Sequence, residues 1–97
     1  MKIAIASDQK NGHSKISLQA GRALYFHIIE NGKKVEILSN PFALGGGGVG
    51  LAVAKMLSDK GVNKIVAGQI GPNMEAALVA AGIQIEQTDG IVSDYYN

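Results

Sequence analysis

The fold turns on residues 23–38, Ala23-Leu24-Tyr25-Phe26-His27-Ile28-Ile29-Glu30, then Asn31-Gly32, then Lys33-Lys34-Val35-Glu36-Ile37-Leu38. Asn-Gly is the preferred filling of a type I′ turn, because both central positions need positive φ. The run before it is aromatic and β-branched. The run after it alternates charged and apolar residues, with Val35 and Ile37 on one face. Two antiparallel strands joined by a two-residue turn are predicted. His27 alternates with Phe26 and Ile28, so it shares a face with Tyr25 and Ile29 and is predicted to pack there.

Outward from the hairpin the pattern changes. Lys2 to Ala6 is a short apolar run closed by Ser7-Asp8, a buried first strand. Beyond Asn40-Pro41, the residues Val49, Ala52, Val53, Met56 and Leu57 recur at helical spacing, and Gly61 stops that helix. Lys64 to Ala67 reads as a buried strand. Pro72 opens a second helix, with Met74, Ala77, Leu78 and Ala81 on its inner stripe and Gly82 at its end. Met56 and Met74 are core residues on this reading. Ile83 to Glu86 is the fifth strand, and Ile91 to Asn97 a tail. The order β-β-β-α-β-α-β predicts a mixed five-stranded sheet covered by helices. Asp8 to Gln19 and Ala43 to Gly48 lack an apolar pattern and are expected to be poorly ordered without ligand.

The 97 residues suit one domain, and a 46% hydrophobic share argues against disorder. The absence of cysteine excludes disulfide scaffolds, thiolate zinc fingers, cysteine nucleophiles and a self-contained four-cysteine iron–sulfur site. The net charge is +1 and Arg22 is the sole arginine, which is no nucleic-acid footprint. The first apolar run reaches Asp8 too soon for a secretory signal, and no run approaches the ~20 residues of a membrane span. A soluble, cytoplasmic protein is expected, without nucleic-acid or membrane partners.

The sharpest chemical feature is Gly45-Gly46-Gly47-Gly48-Val49-Gly50, leading into the first helix. Glycines let a backbone approach a ligand, and a helix start offers unpaired N–H groups at a positive dipole end. The stretch matches G-x-G-x-x-G formally, but no acidic residue follows about 20 positions on, as a dinucleotide site needs. It is not a nucleotide triphosphatase loop, since Leu51-Ala52 stand where Lys and Ser/Thr belong. An anion cradle and a plain spacer both remain open. Gly68-Gln69-Ile70-Gly71-Pro72-Asn73 makes a second strand-to-helix turn. Both turns, with Ser7-Asp8 and Arg22, are expected at the carboxyl edge of the parallel strands, the usual ligand crevice. Arg22 is a candidate anion clamp. His13 lies in a polar loop and is the one candidate metal ligand. The carboxylates Asp8, Glu36 and Asp89 are too scattered for a two-metal nuclease.

Taken together, Lys2-Ile3-Ala4-Ile5-Ala6-Ser7-Asp8, Gly21-Arg22-Ala23-x-Tyr25-Phe26, Asn40-Pro41, the glycine loop and Gly68-x-Ile70-Gly71-Pro72-Asn73 resemble the dinitrogenase iron–molybdenum cofactor biosynthesis family. The resemblance covers nearly the whole chain and implies a single nitrogenase accessory factor-like domain over residues 1–97. It implies a ribonuclease H-like three-layer α/β/α fold without nuclease activity. It also implies binding or carriage of the iron–molybdenum cofactor or its iron–sulfur precursors. Relatives commonly read Ser-x-His-Phe-Gly-Arg-Ala where this chain has Ser17-Leu18-Gln19-Ala20-Gly21-Arg22-Ala23. Gln19 therefore replaces a candidate cluster ligand, and a neutral amide is a poor ligand for iron.

The expectation is a small non-enzymatic protein that binds or carries an anionic iron–sulfur or iron–molybdenum cluster, weakly held, with a protein partner in cluster assembly. The ligand-binding residues are Ser7, Asp8, Arg22, Gly45, Gly46, Gly47, Gly48, Gly71 and Asn73, with His13 as the metal candidate. Two alternatives stay open: a binder of a phosphorylated metabolite or nucleotide through the glycine loop, and a protein-interaction module.

Overall fold

Asn31 and Gly32 both take positive φ, 53° and 81°, as the turn between the second and third strands requires. The computed structural model describes residues 1–45 and 48–96. Its elements are β1 (Lys2–Ser7), β2 (Tyr25–Glu30), β3 (Lys33–Ser39), α1 (Val49–Asp59), β4 (Lys64–Ala67), α2 (Pro72–Ala80) and β5 (Gln84–Gln87), followed by a 3-10 turn over Val92–Tyr95. The strands form one sheet in the order β3-β2-β1-β4-β5. β2 is antiparallel to both its neighbours, while β1 pairs with β4 and β4 with β5 in parallel. Only β2 runs against the rest. The carboxyl ends of the other four strands and the start of β2 therefore meet at one edge.

The hairpin departs from simple alternation at one place. Ile28 pairs with Glu36 and Ile29 with Lys34, which leaves Val35 as an inserted residue. Val35 is 54% exposed. It does not share a buried face with Ile37 as the alternation suggests, because one extra residue reverses the side-chain phase.

Both helices cover the same face of the sheet. Val53, Ala54 and Leu57 of α1 and Met74 and Leu78 of α2 pack on Ala4, Ala6, Phe26, Ile28, Ile65 and Ala67. Truncating a fully buried leucine such as Leu57 or Leu78 costs about 2–5 kcal/mol in cores of this kind. The opposite face presents Ile5, Ile29 and Val66. Ile16, Val92, Tyr95 and Tyr96 cover it. The layers are thus helix, sheet and irregular chain, which corrects the expected α/β/α sandwich. The cause is topological. The crossovers from β3 to β4 and from β4 to β5 move the same way across the sheet, and right-handed crossovers in one direction lay their helices on one face.

The segment after β1 is better anchored than its polar sequence suggests. Ser17 N donates to Ala6 O (2.8 Å), Ile16 N to Gly90 O (2.9 Å) and Gly68 N to Ser17 O (2.8 Å). From the C-terminal turn, Val92 N donates to Ser14 O (3.0 Å) and Ser93 N to Gly12 O (2.8 Å). Ile16 is the missed anchor: one apolar residue, 4% exposed, plugs the second face without any periodic pattern around it. Ala43 is buried as well. Gly46 and Gly47, the middle of the other segment expected to be loose, lie outside the described residues. Among the described residues no helix is long and apolar enough to cross a membrane.

Candidate functional site

α1 and α2 both begin at the carboxyl edge, and neither has a side-chain cap. Gly48 precedes α1 in the left-handed region (φ 81°), and Gly71 precedes α2 in extended conformation with Pro72 at its first turn. First-turn N–H groups lack partners within their own helix and carry the positive dipole end. α1 has no acidic residue in its first turn to offset that field, whereas α2 has Glu75. The two starts converge closely. A Cβ on Gly50 would sit 2.7 Å from Met74 Cβ and 3.0 Å from Met74 Cα, so only glycine permits this approach. Arg22, Gly50, Gly71, Asn73 and Met74 line the resulting cleft of ≈ 220 Å³.

Arg22 is held at the rim. Its Nη1 donates to the carbonyls of Gly45 and Ala43, so the guanidinium buttresses the entry to the glycine loop. A guanidinium carries five N–H donors in a rigid fork, and these contacts use Nη1 alone. The segment bearing Arg22 is in turn held by Asn40, a buried residue. Asn40 Nδ2 donates to Gly21 O (3.1 Å) and Ala23 O (2.8 Å), and its Oδ1 accepts from Phe42 N (3.0 Å). Asn40 is the positioning residue that residue-by-residue reasoning passed over. Its only signal in the sequence was the Asn40-Pro41 pair.

Ser7 and Asp8 lie at the same edge but do different work. Ser7 is buried, with its Oγ 2.8 Å from Ser14 Oγ and donating to Lys15 O at 3.1 Å. Asp8 Oδ1 accepts from Leu24 N (3.2 Å) and Oδ2 from Ser17 Oγ (3.4 Å). That carboxylate ties the end of β1 to the approach to β2. With His13, Ser14 and Lys15, both residues line a second hollow of ≈ 460 Å³. His13 is exposed there. Among the described residues no group of three or more His, Cys, Asp or Glu side chains is placed to hold a metal ion. The structure thus gathers Arg22, Gly71 and Asn73 in one cleft, with Gly45 touching Arg22 through its carbonyl and Gly48 lining an adjoining hollow with Gly50 and Asn73. Ser7, Asp8 and His13 line the neighbouring hollow. Gly46 and Gly47 lie outside the described residues.

His27 is fully buried, which places in the core a residue that the β2 alternation left to core or surface packing. Its Nε2 lies 2.8 Å from Gln9 O. Burial pulls the ring's pKa below its usual value, the Gln9 hydrogen bond opposes that shift, and the Lys34 ammonium adds to it.

Known proteins share this arrangement of elements. A family model described as dinitrogenase iron-molybdenum cofactor matches residues 1–96. An uncharacterized protein of Methanocaldococcus jannaschii is 36% identical over 89 residues, which span 88% of this chain and 72% of that one. The apo form of the orange protein from Desulfovibrio gigas superposes with a TM-score of 0.89 at 26% identity, covering 96% of this chain and 81% of that one. A protein from Thermotoga, described as a candidate NifB of the DUF35 family and solved by NMR, gives a TM-score of 0.81 at 32% identity, covering 97% and 82%.

Proposed function

This chain belongs to the dinitrogenase iron–molybdenum cofactor family, and from that premise we propose that it is a small, cytoplasmic, non-enzymatic binder or carrier of an anionic iron–sulfur or iron–molybdenum cluster precursor. A protein partner in cluster assembly gives or takes this cargo. The observation that carries the reading is the convergence of two uncapped helix starts and Arg22 on one cleft. Backbone N–H groups and a guanidinium dock an anion by charge and shape. They form no bond to a metal, so the cargo is held reversibly. The donor inventory supports docking over ligation. There is no cysteine, Gln19 stands where the family resemblance implies a histidine, and His13 is a lone imidazole. Iron–sulfur clusters normally take several protein ligands. The ribonuclease H-like reading, confined to the sheet and without a second helical layer, belongs to the same proposal, supported by the strand order with β2 alone antiparallel.

The test is an anaerobic titration of the isolated cofactor and, separately, of molybdate as a simple oxyanion. Wild type is compared with Arg22→Ala and His13→Ala. A charge-assisted contact is worth about 1.5–3 kcal/mol, so Arg22→Ala is expected to weaken docking roughly ten- to a hundredfold. His13→Ala is expected to bind like wild type. Unchanged binding by Arg22→Ala with complete loss in His13→Ala would mean direct ligation instead. Indifference to the cofactor together with a thermal shift by nucleotides would favour a phosphorylated ligand.

A further inference from the structure

We propose that His27 is a proton-operated latch on residues 8–13, the segment that walls the hollow beside the cleft. A carbonyl oxygen only accepts, so the contact between Nε2 and Gln9 O (2.8 Å) puts the proton of the neutral ring on Nε2. Nδ1 is then a bare acceptor. It is buried, and no group of the described residues pairs with it. In the neutral ring this costs little more than one unfilled lone pair. Protonation changes the case, because Nδ1 becomes a second N–H donor on a cation with nothing to receive it.

The Gln9 carbonyl favours that cation, but the rest of its surroundings do not. Across the sheet His27 pairs with Ile5 of β1 and Ile37 of β3. The charged group that acts on the ring is Lys34 of β3, itself 5.6 Å above the ring of Tyr96 from the C-terminal tail. On the same face of β2 stands Tyr25, with the Lys10 ammonium 5.5 Å over its ring. These neighbours are cationic or phenolic, and the one carboxylate of the adjoining segment, Asp8, is engaged by Leu24 N and Ser17 Oγ. The nearest part of the structure able to yield is the segment that supplies the Gln9 carbonyl. Gln9 N donates to Ser7 Oγ (3.3 Å) and Ser14 N to Asn11 O (3.2 Å); the segment's longer ties are Leu24 N to Asp8 Oδ1 (3.2 Å) and Ser93 N to Gly12 O (2.8 Å), so a local opening breaks a few bonds that lie outside the sheet ladder. Acid thus frees residues 8–13 and loosens Asp8 and His13 at the wall of the hollow. The latch is independent of whether the cleft takes an anion.

The sign follows from linkage. In the closed state burial, the larger effect, outweighs the Gln9 hydrogen bond that favours the cation and holds His27 below its usual pKa; an open state that wets the ring restores the usual value, so opening takes up a proton. Below about pH 6.5 the open population rises by up to tenfold per pH unit, until the closed-state pKa is passed. The experiment is amide hydrogen exchange of the full chain from pH 7.5 to 5.0, with intrinsic exchange divided out, read at Gln9 and Ser14 and at Ile65 and Val66 of β4. The ¹⁵N shifts of the His27 ring are followed in the same samples. Protection at Gln9 and Ser14 is expected to fall toward tenfold per unit below pH 6.5, while β4 does not follow. His13→Gln is expected to keep that slope and His27→Gln to lose it. A flat profile in wild type overturns the proposal. So does an equal slope in His27→Gln, or an equal slope in β4. If His27→Gln does not fold, the wild-type ring decides. An Nε2–H tautomer titrating in step with Gln9 protection supports the latch. A ring that titrates while Gln9 stays protected refutes it.

Discussion

Replacing Asn40 by alanine should do more damage than any other single polar change near the cleft. The side chain is 7% exposed and makes three hydrogen bonds, two donated to Gly21 O and Ala23 O and one accepted from Phe42 N. A net value of about 0.5–1.5 kcal/mol for each gives roughly 1.5–4.5 kcal/mol for the set. The bonds to Gly21 and Phe42 are only part-buried, so water re-pairs those groups and about 2–3 kcal/mol is expected. For a domain of this size that corresponds to a fall in Tm of roughly 10–20 °C. Urea denaturation followed by circular dichroism measures it. Asn40→Asp should be worse than Asn40→Ala, because it sets a carboxylate against two carbonyls. Asn63→Ala is the control: its Oδ1 accepts one exposed bond, from Lys2 N at 2.7 Å, and should cost under ~1 kcal/mol. A loss below about 0.5 kcal/mol for Asn40→Ala, or an Asn40→Asp variant more stable than Asn40→Ala, would refute the reasoning. Because Arg22 lies between the two carbonyls Asn40 holds, the alanine variant should also dock anions more weakly with its guanidinium intact.

Three further variants have defined outcomes. Gly50→Ala gains about 1 kcal/mol of helix propensity but forces α1 from Met74, an overpacking cost of about 1–3 kcal/mol; a net loss in urea denaturation is expected, and a stabilised variant would show that the helix starts part freely. Glu86 accepts hydrogen bonds from Lys64 and Tyr95, which hold its carboxyl below the ordinary 4.5, while burial and the Glu86 contact push the Tyr95 hydroxyl from 10.0 up to about 12. The Glu86 contribution is therefore complete above pH 4.5 and fades as pH falls through the lowered value. The Tyr95 contribution is complete below pH 10 and fades as pH rises toward 12. Glu86→Gln should flatten the acid limb of a stability–pH curve, Tyr95→Phe should flatten the alkaline limb, and unchanged limbs would exclude these groups as the cause.

Most of the fold was legible because its signals are local. Asn31-Gly32 sets two positive φ angles wherever it stands between β-forming runs, and Val53, Leu57 and Leu78 mark helix faces by spacing alone. The site was legible in part for the same reason: glycines ahead of a helix announce an open N-terminus whatever surrounds it. What escaped depends on contacts between distant segments. The inserted residue at Val35 arises from pairing with β2, and Ile16 anchors its segment only because the far face of the sheet needs covering.

The hairpin, the strand and helix periods and the glycine-led helix starts follow from short-range backbone sterics and side-chain spacing, which are properties of a few consecutive residues. That both helices share one face, that Gly50 brings their starts together against Met74, and that Asn40 holds the arginine segment emerges in three dimensions. Those outcomes rest on where the chain returns in space. Crossover handedness, close packing and the pairing of buried polar groups settle that, and none of them is written in any short stretch of residues.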